Sequence, residues 1–347
     1  MASTTVVRTP HVVVEWREQR LVATDGATGR RHAVTVEALR VLDVAGAPAT
    51  AADLAVRAGV EPAVVVALIA ARLLVPHDRV PERHYWSAAE LVVQRTTRTA
   101  RPVADREATR DLMEPPDKDT AGPSLELPVA EPADDPPFSQ VLAERRSCRR
   151  FGDTPIDAAM LGRFLEMACA VRQDARKFGS GVSWRPHPSG GGRHPLETYV
   201  YPLNVTGLEP AVYRYDPFLR HLEQVDKADE SFFETVRNLH EHTELMEGDP
   251  AVLLVVTSVF GRTMWKYDNG GLLIVHQDVG ALYQTFYLVA TALGLGGCAI
   301  GGGSEALIAG ALNIDPLREG HVGTFLLGVP ADDRYRDPLR DVFAETL

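Results

Sequence analysis

The segment from Asp249 to Gly303 constrains the fold more than any other part of the chain. Ala251 to Thr257 is a continuous apolar, β-branched run, the pattern of a strand covered on both faces. A polar and aromatic group, Trp265-Lys266-Tyr267, follows on what reads as a loop. Val279, Leu282, Tyr283, Phe286, Tyr287, Ala290 and Leu293 then recur at three- and four-residue spacing, which is one apolar face of a helix. The helix is predicted to end at Gly294. A glycine group (Gly296, Gly297, Gly301, Gly302, Gly303) follows, interrupted by Cys298-Ala299-Ile300. Such glycines let backbone lie flat against a planar ligand where a Cβ would collide, and they equally suit a tight connection from helix to strand.

A second segment bears on that choice. Arg145, Arg146, Ser147, Arg149 and Arg150 crowd one short stretch of an otherwise acidic chain. Arginine forks bind phosphate in a bidentate way, so the cluster reads as an anion site; a solvated basic face is the plainer alternative. Further on, Pro188-Ser189-Gly190-Gly191-Gly192-Arg193-His194-Pro195-Leu196-Glu197 is a flexible loop whose N–H groups and Ser189 hydroxyl suit a phosphate or a ring edge. It is neither GxGxxG nor GxxxxGK[ST], so neither a dinucleotide fold nor a P-loop is indicated.

Taken together, the RRSCRRF segment, the PSGGGRHPLE loop, AVYRYDP followed by HLEQV, the WKY loop and VGALYQTFYLVATALGLGGCAIGG resemble the nitroreductase-like FMN-binding family. The closer likeness is to its SagB-type azoline dehydrogenase branch, and it covers roughly Phe138 to Pro330. The resemblance implies an α+β fold and a homodimer that binds FMN across its interface. It also implies oxidation of thiazoline or oxazoline rings in a ribosomal peptide, with oxygen reoxidising the flavin. It assigns catalysis to Lys266 and Tyr267. Cofactor contacts fall to Arg145, Arg146, Ser147 and Arg149 for the phosphate, and to Pro188, Ser189, Gly190, Gly191, Gly301 and Gly302. A lysine serves as a base near neutral pH where burial or a neighbouring cation lowers its pKa. One departure stands out: the branch follows its Lys-Tyr pair with an arginine-rich segment, and this chain has Asp268-Asn269-Gly270-Gly271.

The expected organisation is an N-terminal unit over 1–95, a linker over 96–137 rich in proline and acid, and a catalytic domain over 138–347. Val12 to Trp16 and Leu21 to Thr24 read as a hairpin. Val36 to Leu42, a helix capped by Thr50, Gly59, and a helix over Val60 to Leu74 follow it. That order suggests a small winged-helix unit. Its second helix carries a single arginine between Pro62 and Arg72, too little charge to hold a phosphate backbone. The unit instead resembles PqqD-type elements, which imply leader-peptide binding by strand addition; a structural appendage is the equal alternative.

In the catalytic domain, Asp157 to Val171 is predicted helical and Leu196 to Val205 a strand. Val212 to Tyr215 and His221 to Val225 form a hairpin, and His321 to Val329 is a last buried strand in a mixed or antiparallel sheet. Phe151, Trp184, Phe232 and Phe325 are assigned to the core.

A net charge of −11 argues against nucleic acid as the main partner. No apolar run is long enough to span a bilayer, and the chain begins with no signal pattern. Cys148, Cys169 and Cys298 lack metal-site spacing and suit a reducing, cytoplasmic setting. His187, His194, His276 and His321 have no metal-ligand spacing either. Two other functions remain consistent with these residues. One is an NAD(P)H-dependent flavin reductase of a nitro, enone or dehydroamino-acid substrate. The other is a flavin-bearing binding subunit of a peptide-modifying complex. A cyclodehydratase is the expected companion of the azoline reading.

Overall fold

The computed structural model describes residues 4–26, 28–80, 86–98, 103–118, 122–129, 136–175, 181–241, 246–267 and 270–332. Asp268 and Asn269, the acidic and proline residues of 130–135, and 333–347 lie outside the described residues. The chain divides into two compact units, Met1–Arg101 and Pro102–Leu347.

In the first unit the hairpin forms between Val12–Arg17 and Arg20–Asp25, turning through Glu18 and Gln19 at positive φ. Arg31–Ala33 adds a third strand, which leaves Val12–Arg17 on an open edge. Helices Val36–Val44, Ala51–Ala58 and Pro62–Ala70 follow. Thr50 caps the second by accepting the Asp53 N–H at 3.2 Å, and Gly59 ends it at φ 61°. The third helix is shorter than its apolar run suggests. The chain turns at Arg72 (φ 60°), and Leu74–Pro76 becomes a strand paired with Val6–Arg8. A further helix, Ala88–Arg98, buries Leu91 and Thr97.

The second unit is built on a seven-stranded antiparallel sheet. Its order is Gly296–Ile300, Glu319–Gly328, Val252–Val259, Leu196–Pro202, Ala211–Asp216, His221–Lys227 and Ser124–Glu126. The continuous apolar run now has its explanation. Val252, Leu254 and Val256 enter one core with the helices Ala158–Cys169 and Gly271–Ala292, while Leu253 and Val255 enter a second core on the opposite face. Phe151, Phe232 and Phe325 are buried, but Trp184 is 52% exposed and belongs to no core. Among the described residues, no helix is long and apolar enough to cross a membrane.

Two expectations change. Gly296–Ile300 is a strand, so Gly296 and Gly297 serve packing: a Cβ on Gly296 would sit 2.6 Å from Cys148 Sγ, and one on Gly297 would strike the Phe325 ring. The stretch read as a linker is packed on the sheet in its described residues. It contributes the edge strand Ser124–Glu126 and buries Leu127.

Candidate active site

The 22-residue helix Gly271–Ala292 organises the site. Its apolar stripe (Val275, Val279, Leu282, Phe286, Val289) is held in the core, which fixes the helix and leaves its flanks to carry chemistry. On one flank, Asp278 receives the Ser189 hydroxyl at 2.5 Å and the Gly190 N–H at 3.0 Å. Ser189 Oγ in turn accepts the His194 N–H at 2.9 Å. These bonds pin the glycine loop to the helix, and a Cβ on Gly190 would collide with Ile274 one turn earlier. The Ser189 hydroxyl and Gly190 N–H are therefore engaged by a carboxylate rather than presented to a phosphate.

Gly191, at φ +67°, projects toward the loop after the central strand. A Cβ there would lie 2.9 Å from Tyr267 Oη and 3.1 Å from Lys266 Nζ. Lys266 Nζ also stands 5.4 Å from the centroid of the Tyr267 ring. Residues more than 70 positions apart in the sequence thus converge with two protic groups on one bare stretch of backbone. Trp265 Nε1 donates to Arg262 O at 3.2 Å, and the Arg193 guanidinium covers its ring at 5.3 Å.

The arginine cluster lies along a different flank. Arg145 sits 5.2 Å over the Tyr287 ring, and Ser147 Oγ is 3.1 Å from Tyr287 Oη, which accepts the Ala299 N–H at 2.8 Å. Cys148 N–H donates to Gly297 O at 2.8 Å. The cluster is thereby stitched to the strand that leads into Gly301 and Gly302. Arg146 turns back to the helix before it, donating to Ala143 O and Arg145 O at 2.8 Å each, and Arg150 pairs with Glu247 at 2.9 Å. Arg145 and Arg149 have no carboxylate partner among the described residues, leaving positive charge for an anion. A Cβ on Gly301 meets nothing within 4 Å, so this backbone faces open space. Unmatched arginines, a hydroxyl and bare glycine backbone suit a phosphate-bearing planar cofactor. Asp278 and Tyr287 are nine residues, two and a half turns, apart, so the two clusters occupy opposite sides of the helix.

Beside the loop that carries Lys266 and Tyr267 lies a buried ionic network that the sequence does not announce. Glu197 receives Arg262 at 2.5 Å and Arg214 at 3.0 Å, all three almost fully buried. Burial alone would push Glu197 up, yet Arg262 and Arg214 hold it at about 2. Arg214 also pairs with Glu223 and reaches Asp216. Asp216, His221 and Glu223 have the donor spacing of a metal site, but the Arg214 guanidinium already supplies the positive charge between the carboxylates. His187 and His194 stand beside this network, 3.4 Å apart. Burial and the Arg185 charge hold them at about 4 and about 2, His187 just before the glycine loop and His194 within it.

Comparison with known proteins agrees with this architecture. Residues 142–329 match the model of the nitroreductase family, and the chain belongs to that family, a family of flavin-binding oxidoreductases. It is 31% identical over 164 residues to a putative nitroreductase of Methanocaldococcus jannaschii, covering 47% of this chain and 78% of the relative. It is 29% identical over 136 residues to the microcin B17-processing protein McbC of Escherichia coli, covering 38% of this chain and 49% of that protein. The trifolitoxin-processing protein TfxB of Rhizobium leguminosarum is 25% identical over 170 residues, covering 47% of this chain and 44% of that relative. The chain thus spans less than half the length of each of these two peptide-processing relatives. Among solved structures, a putative nitroreductase from Ralstonia eutropha superposes with a TM-score of 0.50 at 23% identity, over 67% of this chain and 99% of the other.

Proposed function

We propose that this chain is an FMN-dependent dehydrogenase that oxidises thiazoline or oxazoline rings of a ribosomally made peptide to thiazoles or oxazoles. The observation that carries the reading is the convergence of Lys266 Nζ and Tyr267 Oη on Gly191. The likeness to two peptide-processing proteins supports the substrate class. FMN, when bound, would supply the hydride acceptor, with oxygen as the terminal oxidant. The remaining work falls to the protein. Arg145, Ser147 and Arg149 would hold the FMN phosphate, and the backbone at Gly301 and Gly302 would face the cofactor. Lys266 takes the proton from one ring carbon as the neighbouring carbon gives up its hydride, and the new C=C bond completes the aromatic ring. Tyr267 orients the ring beside the amine. Because the two clusters occupy opposite sides of one helix, a homodimer in which each protomer supplies one side completes the site.

In the N-terminal unit, the open edge of Val12–Arg17, with Trp16 72% exposed, suits a peptide added as a further strand. The protein then works in the cytoplasm beside the cyclodehydratase that forms the azoline.

The test is turnover of an azoline peptide by the FMN-loaded protein, read as loss of two hydrogens per ring by mass spectrometry. Lys266→Ala should slow it by about 10²–10⁴-fold while the protein stays yellow. Full activity in Lys266→Ala would remove the catalytic assignment. The higher identity to a nitroreductase keeps a second reading, a nicotinamide-fed flavin reductase. Rapid NADPH oxidation without peptide would favour it.

A further inference from the structure

The stretch 103–118 has the composition of a linker, yet its described residues bind the reacting loop at three successive points. Val103 N–H donates to Lys266 O at 3.0 Å. Glu114 N–H donates to Gly261 O at 3.2 Å, and its carboxylate pairs with Arg318. Pro115 O accepts Arg262 Nε at 2.5 Å. Beyond these, Lys118 anchors the end of the stretch on Tyr199 at 2.8 Å and Glu319 at 2.7 Å, while its carbonyl accepts Arg214. Gly261 is a contact point of its own, because a Cβ there would strike Glu114 Cγ and stand 3.1 Å from Leu112 O.

The loop's internal bonds leave its far end to be held from outside. Thr263 and Met264 N–H both donate to Phe260 O, and Lys266 N–H donates to Thr263 O at 3.1 Å. These make a compact turn at 260–266 without fixing where the turn sits. A lysine has a flexible four-carbon stem, so its amine is localised only if its Cα is held first. The Val103 bond to the Lys266 carbonyl supplies that restraint on the residue itself.

We infer that residues 103–118 are a strap that positions Lys266, so this linker-like stretch at the start of the second unit belongs to the reaction machinery although it supplies no reacting atom. The inference rests on Lys266 being the base. Its structural half, that the strap restrains the loop, is measurable without any substrate.

The experiment uses the full-length, FMN-loaded protein with Val103→Pro, which removes the N–H that reaches Lys266 and also fixes φ at that position. Two quantities are read: amide hydrogen exchange over 260–267 together with acetylation of Lys266 by acetic anhydride, and kcat and KM on an azoline peptide. Exchange and acetylation should rise several-fold. The turnover number should fall while KM and flavin content hold. Val103→Ala keeps the N–H and should keep the slow exchange. Gly261→Ala, which presses on Glu114 from the other side, should reproduce both changes and serves if the proline variant folds poorly. Unchanged exchange and unchanged kcat in Val103→Pro and Gly261→Ala would overturn the strap. A Lys266→Ala variant run alongside separates the two ideas. Its full activity defeats the assigned function, whereas its inactivity beside a normal Val103→Pro defeats the strap alone.

Discussion

The Ser189 hydroxyl donates to the Asp278 carboxylate at 2.5 Å and, with the Gly190 N–H on the same carboxylate, joins the glycine loop to the long helix. Gly191, two residues on, is where Lys266 and Tyr267 meet the loop. Ser189→Ala should therefore lower stability by about 1.5–3 kcal/mol, the range for a hydrogen bond to a charged group, and should slow turnover as well. Denaturant unfolding monitored by fluorescence checks the first expectation; an unchanged midpoint would show the bond to be absent in solution.

Tyr287 is the joint between the arginine cluster and the strand Gly296–Ile300. Removing its hydroxyl in Tyr287→Phe leaves the Ala299 N–H without its acceptor and frees Ser147. A loss of about 1–3 kcal/mol is expected from the orphaned donor. Weaker FMN binding should accompany it, since the ring that seats Arg145 stays but its anchor to Ser147 goes. Equilibrium dialysis of FMN against both proteins measures this, and equal affinity would detach Tyr287 from cofactor binding.

The glycines of this region divide by what surrounds them. Gly297→Ala drives a methyl into the Phe325 ring and should cost about 1–3 kcal/mol of stability as an overpacked core does. Gly301→Ala has room for its methyl and should melt like the parent. If the Gly301 backbone lies against the flavin, the second variant alone should bind FMN less tightly. Thermal melts with and without FMN distinguish the two outcomes.

Stability should fall on mild acidification through the buried histidines. His187 and His321 are held at about 4 and His194 at about 2, chiefly by burial, against an ordinary value of 6.5. Between about pH 6.5 and 4 the unfolded chain therefore binds protons that the native chain refuses. The folded state is fully stable above that window and loses ground within it, by about 3 kcal/mol from His187 alone. Glu197, held down at about 2 by its arginines, adds its loss only below its ordinary 4.5. Unfolding midpoints from pH 7.5 to 4.5 report the slope, and His187→Gln should flatten it.

The sequence was most legible where one physical demand acted on a continuous stretch. The run Ala251 to Thr257 announced a strand with two covered faces, and the spacing from Val279 to Leu293 announced the long helix. It was least legible where partners are remote. Nothing near Glu197 foretells Arg214 and Arg262, and nothing in the proline-rich stretch foretells Val103 on Lys266. The glycine group misled in part: at Gly296 and Gly297 a missing side chain makes room for Cys148 and Phe325, while at Gly301 it leaves open space. The pattern of letters is the same for both, and only the neighbours differ. Trp184 shows the converse, an aromatic residue left at the surface because its two-residue strand pairs outside the main sheet.

The order of strands also governs what happens on the ribosome. Val252–Val259 is flanked by Leu196–Pro202, made earlier, and by Glu319–Gly328, made later. About 70 further residues must therefore emerge before this apolar strand is covered on its second edge, some 4–14 s at about 5–20 residues per second. During that interval a ready template for intermolecular pairing is exposed, so nascent chains of the second unit should depend on chaperone cover that the N-terminal unit, complete two hundred residues earlier, does without.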